Sequence, residues 1–323
     1  MYFVIHCFFG ISRLLIPYNN NRTILLFGKL AEGMNVYLKK WFNIFGLSAI
    51  LTVALILVNM ISNPKVQESI TYFPIEPSVT FKSTNTTLSL ANKKSISWKI
   101  NSTLDRKAYL RQDAGLLFLN GRLIGKLGEW RQNTASLSQE KLLPSQTGWL
   151  QAVTFHHAEL HQGNEIFSSQ AMSEAELYVI AQPPGTVLSF SSPRTDQERI
   201  WKQRLDEQTE RMLYYSWNRG IRHFSIPISE YQAYPLPLFD TRAKKVLPGL
   251  SKAASDKITG QLWEGIYKNY LLGIKKQDST TVPPEGSTIP LILLAKNHTH
   301  LLVLTETKDG SPILLRQMIG AAH

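Results

Sequence analysis

Between Trp41 and Pro64 the chain reads WFNIFGLSAILTVALILVNMISNP, a stretch without a single charged residue. Its core, Ile44–Ile61, is long enough as a helix to cross most of the roughly 30 Å hydrocarbon layer of a bilayer. Ser48, Thr52 and Asn59 are polar but uncharged, and a helix tolerates them because its own backbone groups are satisfied internally. Lys39 and Lys40 abut the start, and Trp41 and Phe42 suit the interfacial layer. Arg13, Arg22, Lys29, Lys39 and Lys40 precede the span against one acid, Glu32, whereas Lys65, Glu68 and Glu76 follow it. The positive-inside rule then keeps the N-terminus inside and sends the C-terminal domain across the cell membrane in a single pass. A cleaved signal peptide fits less well. The apolar run is long for one, and Asn59-Met60-Ile61-Ser62-Asn63-Pro64 offers no small-x-small site.

The expected order is therefore a cytoplasmic N-terminal segment (1–43), a transmembrane helix (44–61), a linker (62–78) and an outer α+β domain (79–323). The first segment has two readings. Tyr2–Phe9 and Ile24–Phe27 are apolar but too short to span, which fits an interfacial stretch. Equally, Met34 is a second candidate start, with Met34–Lys40 as an economical inside tail and everything before it non-native. Cys7 is the only cysteine, so no disulfide closes within the chain and packing alone must hold the outer domain.

Thirty-five basic against 24 acidic residues give a net charge of +11, of which +7 remains beyond the span. That excess favours contact with lipid headgroups or an anionic envelope polymer. It is scattered, as at Lys82, Lys93, Lys99 and Arg106, where a nucleic-acid surface needs a dense stripe. No nucleic acid is expected as a partner.

In the outer region the hydrophobic period changes from element to element. Ile96, Trp98 and Ile100 alternate with Ser97 and Lys99, the pattern of a strand with one buried face. Leu116–Leu119, Asn120-Gly121 and Arg122–Leu127 predict a tight hairpin, since Asn and Gly accept the positive φ that such a turn demands. Residues 129–148 are polar and read as a surface loop or short helix. Ser173 with Glu176 three residues on resembles a capping box for a brief helix, although a strand over Glu176–Ile180 fits equally well. A longer helix is expected over Asp196–Asn218, with Ser192-Pro193 as its cap and Gly220 as its terminator. A second runs from a Ser251 cap to about Leu272, where Gly260 and Gly265 mark a close approach by another element. Ile289–Ala295 and His300–Thr305 read as neighbouring strands. No repeat, heptad series or regular βα alternation is present, so the class is an α+β extracytoplasmic domain preceded by one transmembrane helix.

The chemistry-bearing cluster is Phe155-His156-His157-Ala158-Glu159-Leu160-His161. On a strand, His157, Glu159 and His161 share a face, and imidazole and carboxylate are both metal ligands. Glu165 is a candidate fourth ligand or base, and His298 with His300 a second pair. The spacing is not HExxH, and GxSxG, GxxxxGK and GxGxxG are all missing. Nothing in the sequence asks for a cofactor. Two functions follow: a membrane-anchored binding or assembly protein of the cell envelope, partnered by the bilayer and an envelope protein or polymer, or a metal-assisted envelope hydrolase using His157, Glu159 and His161. Assembly through Ser48, Ala49 and Thr52 of the span is a third route, though without a GxxxG pattern.

Overall fold

Strand β2 (Ser95–Leu119) organises the domain because it is long enough to belong to two layers at once. The computed structural model describes residues 70–319, apart from 93, 183–185, 240–246 and 277–279. Residues 1–69, and with them the expected transmembrane helix, lie outside that set. Among the described residues no helix is long and apolar enough to cross a membrane.

The first sheet is antiparallel and comprises β1 (Phe81–Asn92), β2, β3 (Arg122–Pro144), β4 (Gly148–Gln162), β5 (Glu165–Gln182) and β6 (Thr186–Phe190). Along one edge β2 pairs with β3, from Ser95↔Pro144 to Leu119↔Arg122. Along the other edge its first half pairs with β1 and its second half with β4. Between the halves the ladder breaks: Thr103 faces Ser136, but Ala108 already faces Thr134. The surplus on β2 is an odd number of residues, so the inward parity changes there. Before the break Ile96, Trp98 and Ile100 point inward; after it Leu117 does. The sheet curls over, and β1 with the first half of β2 covers β4 and β5. Leu88, Leu143, Leu150, Ala152, Leu177 and Val179 complete the enclosed core.

The hairpin turn is as expected, with Asn120 at φ 48 and Gly121 at φ 79. Residues 129–144, expected as loop or helix, instead extend β3, because β2 supplies a hydrogen-bonding partner along almost their whole length. Ser173 is likewise no N-cap. It lies within β5, opposite Thr154 of β4, where the ladder outweighs a local capping signal.

Helix α1 (Asp196–His223) is capped by Thr195 rather than Ser192, in a reciprocal box with Glu198. Gly220 does not end it. The helix runs on to His223, and Gly220 serves instead as a contact point, since a Cβ there would meet Leu304 Cδ1 at 2.7 Å. Helix α2 (Lys252–Ile266) has the expected Ser251 cap and closes through a π-turn over Tyr267–Leu271. The close approach at Gly260 is real: Tyr72 and Gln170 would stand 2.4 and 2.5 Å from a Cβ.

A second antiparallel sheet has the order β12-β11-β10-β7, from β7 (Tyr231–Pro235), β10 (Leu291–Ala295), β11 (His300–Glu306) and β12 (Pro312–Met318). A short ribbon, β8 (Ile274–Lys275) with β9 (Thr281–Val282), stands apart. Alternation gives the second sheet two buried faces. Ile292, Leu294, Leu301 and Val303 join α2 and the outer face of the first sheet in the main core, with Leu116, Phe118, Val153 and Phe155. Leu291, Leu293, Leu302 and Leu304 instead face Trp217 and Ile221 of α1. The result is a globular α+β domain built on a curled, half-open sheet.

Candidate functional site

Strand alternation splits the histidine group between the two faces of β4. His157 faces the same side as Phe155, with ring centroids 6.1 Å apart, and Phe155 stacks on Trp263 of α2. The imidazole is buried and neither ring nitrogen has a hydrogen-bond partner. Burial pushes its pKa down to about 4; the nearby Arg111 guanidinium pushes the same way, and Asp113 opposes. Glu159 and His161 lie further along that face, at the rim, where His161 Nε2 meets Glu159 Oε1 at 2.5 Å. The His161 ring also stacks on exposed Tyr109 at 3.8 Å.

The other candidates sit elsewhere. Glu165 begins β5 in the turn from β4. His298 adopts φ 57 in the β10–β11 turn, with Nε2 3.1 Å from the Pro248 carbonyl oxygen. His300, on the second sheet, contacts the Tyr231 hydroxyl at 2.9 Å. Among the described residues no group of three or more His, Cys, Asp or Glu side chains is placed to hold a metal ion.

On the opposite face, His156 belongs to a polar array enclosed by the curl. Asp113 Oδ2 lies 3.1 Å from His156 Nδ1, and His156 Nε2 lies 2.7 Å from Ser173 Oγ. Ser173 Oγ in turn lies 2.6 Å from Thr86 Oγ1, which donates to Thr154 Oγ1 at 2.6 Å. Ser102 donates to Asp113 Oδ2 at 2.5 Å and accepts from Arg111 Nη2 at 2.5 Å. Arg111 reaches further, donating from Nη1 to the Ala135 carbonyl and from Nε to the His157 carbonyl. Phe81 of β1 lies over the guanidinium at 4.7 Å. Burial lowers the Arg111 pKa and the Asp113 charge works against that shift.

Asp113, His156 and Ser173 stand in the order of a nucleophile relay, which requires the histidine to receive the serine proton. Burial runs against that use. Asp113 and His156 are fully buried, and buried Thr86 closes over the serine, its hydroxyl 2.6 Å from Ser173 Oγ. The array is built to clamp β1 and both halves of β2 onto β4 and β5. The charged and hydroxyl members of this array escaped the sequence reading; only the alternation that separates His156 from His157 hinted at it.

Among the described residues a recess lies between α2 with its closing π-turn and β12. It encloses about 330 Å³, with Glu264, Lys268, Asn269 and Arg316 around Ile266 and Leu315.

No family model and no curated protein sequence matches the chain. Among solved structures there is similarity to the solution structure of AT1g01470 from Arabidopsis thaliana, at 11% identity over 38% of this chain and 95% of that one. Its TM-score of 0.23 is too low to carry an argument about fold or function.

Proposed function

We propose that the chain is a membrane-anchored extracytoplasmic protein of the cell envelope, and that its outer domain binds or assembles with an envelope partner. The uncharged Trp41–Pro64 stretch behind a basic flank carries this reading. The start of the domain adds a distance. Ile70 is already buried in the main core, and Tyr72 N donates to Glu264 Oε2 of α2. Ser168 of β5 bonds the Phe73 and Pro74 carbonyls. Residues 70–78 of the expected linker thus run along the domain, and 62–69 is the rest of its length. Fully extended it reaches roughly 28 Å. A domain held that close meets partners at the membrane surface at raised effective concentration. Its buried polar array serves rigidity, which suits a recognition scaffold.

The test uses the full chain in its native membrane. Alkaline extraction should leave it in the pellet, and protease added to the outer side of intact cells should release a fragment beginning after residue 61. Extraction into the alkaline supernatant, or complete protection from external protease, overturns the anchored reading.

A further inference from the structure

The geometry points to the outer edge of β3 as a self-association surface, on which a second copy of this chain pairs antiparallel about Trp130. This deepens the assembly reading above and rests on it, because it names the partner. Backbone pairing on that edge stops early. Leu123 N bonds the Ser287 carbonyl and Gly286 N bonds the Leu123 carbonyl; beyond that point, among the described residues, β3 pairs only with β2. A sheet edge left with unpaired N–H and C=O groups is a template for another strand.

Four features select a second copy as the occupant. First, the charges are self-complementary. With Trp130 on a two-fold axis, Glu129 faces the partner's Arg131 and Arg131 faces the partner's Glu129. In one chain these two side chains satisfy each other, Arg131 Nη2 to Glu129 Oε1 at 2.6 Å, so the stretch 128–132 carries no net charge that would repel a copy. Second, Trp130 is 43% exposed and would lie against its own counterpart, burying a large apolar ring on each side. Third, Gly128 has open space around the position of a Cβ, which permits a close backbone approach where it would meet the partner's Gln132. Fourth, the stretch is bounded. Lys126 is held inward by the Leu271 carbonyl at 2.8 Å, and Asn133 at φ 50 bends the strand on the far side. A contact this short is small by interface standards, so confinement at a membrane would be what populates it.

Cys7 is the only native cysteine, which makes cross-linking decisive. The full chain carrying Cys7→Ser and Trp130→Cys, in native membranes under mild oxidation, should form a disulfide-linked homodimer. Residues opposed across an antiparallel pair have a Cα separation that a disulfide can bridge. The yield should exceed that of Cys7→Ser/Tyr214→Cys by about tenfold, although Tyr214 is more exposed. Glu129→Arg and Arg131→Glu should each suppress the product, and combining them in one chain should restore it. Thermal melting of the same variants confirms that they fold. Equal yields at the two cysteine positions overturn the inference, as does a Trp130→Cys product joined to a different polypeptide. In either case, retention in alkali-washed membranes and capture of another envelope component would leave the anchored binding reading standing.

Discussion

The indole of Trp98 lies against the bare Cα of Gly115, and both residues belong to the same strand. A Cβ on Gly115 would meet Trp98 Cζ2 at 2.8 Å and Ile100 Cδ1 at 2.5 Å. The contact exists because β2 breaks its ladder after Thr103 and folds its first half over its second. Gly115 has no special backbone angle to protect, so its role is steric. Gly115→Ala should cost about 1–3 kcal/mol, and Gly115→Val more, because the rigid indole cannot step aside as the isoleucine methyl can. Chemical denaturation with unchanged far-ultraviolet circular dichroism checks this; a wild-type midpoint for Gly115→Val would show that the layers do not pack there.

His157 makes the acid limb of stability predictable. Its folded pKa, about 4, lies below the ordinary 6.5. The unfolded chain therefore binds the extra proton first, and stability falls as pH drops from about 6.5 towards 4, by roughly 3 kcal/mol in total. Above pH 7 the residue contributes no slope. His157→Leu removes both the titration and two unpartnered buried nitrogens. It should match or exceed wild-type stability at pH 7 and flatten the curve below pH 6. Unfolding free energies measured between pH 4 and 8 decide it.

The array around Asp113 should be costly to break and cheap to replace. Asp113→Ala strands Arg111, whose side chain is fully buried, without its counter-charge, and should cost about 3–5 kcal/mol. Combining Arg111→Met with Asp113→Leu should cost clearly less than the two single changes summed. A double-mutant cycle by denaturant melts gives the coupling. Simple additivity would mean that the two side chains do not sense each other.

Arg219 and Arg199 sit on the same helix and form ion pairs of different worth. Glu306 is 2% exposed and is held by Arg219, by Ser216 Oγ at 3.0 Å and by Arg122 at 3.6 Å. Arg199 and Asp196 face solvent. Arg219→Ala should therefore cost about 2 kcal/mol, reduced from a fully buried pair because the guanidinium is half exposed, and Arg199→Ala at most about 0.5 kcal/mol. Thermal melts in low and high salt should show stronger screening for the Arg199 pair than for the Arg219 pair.

How much of this was legible beforehand follows from what each feature depends on. Asn120-Gly121 and the Ser251 cap rest on local geometry, which residue type reports well, whereas Gly260 inside a helix signalled a close neighbour without saying that it would be Tyr72 and Gln170. The fold-back of β2 left no such mark. Its break at Thr103–Ala108 contains neither glycine nor proline, and it shows only as a change of inward parity, from Trp98 and Ile100 to Leu117. The extension of β3 through residues 129–144 was hidden for a related reason. Its side chains are polar because the strand is an edge, so composition resembled a loop. The polar array needed long-range information entirely. Thr86, Ser102, Arg111, Asp113, His156 and Ser173 come from four strands, and no short window of sequence contains them.

The way the chain enters the domain also decides how it bears load. Coming from residue 69, the backbone goes straight to the buried Ile70, passes the Tyr72–Gly260 contact, and then runs beside β5 with Ile75 paired parallel to Ser168. Glu76 N, Ser168 N and Ser168 Oγ supply the bonds along that seam, at 2.8, 2.7 and 2.6 Å. Tension from the N-terminal side is therefore met first by the wedge at Gly260 and by hydrogen bonds arranged in series along the seam. Under such tension this seam is the fuse: it would open before β1 and the layers beneath it felt the strain.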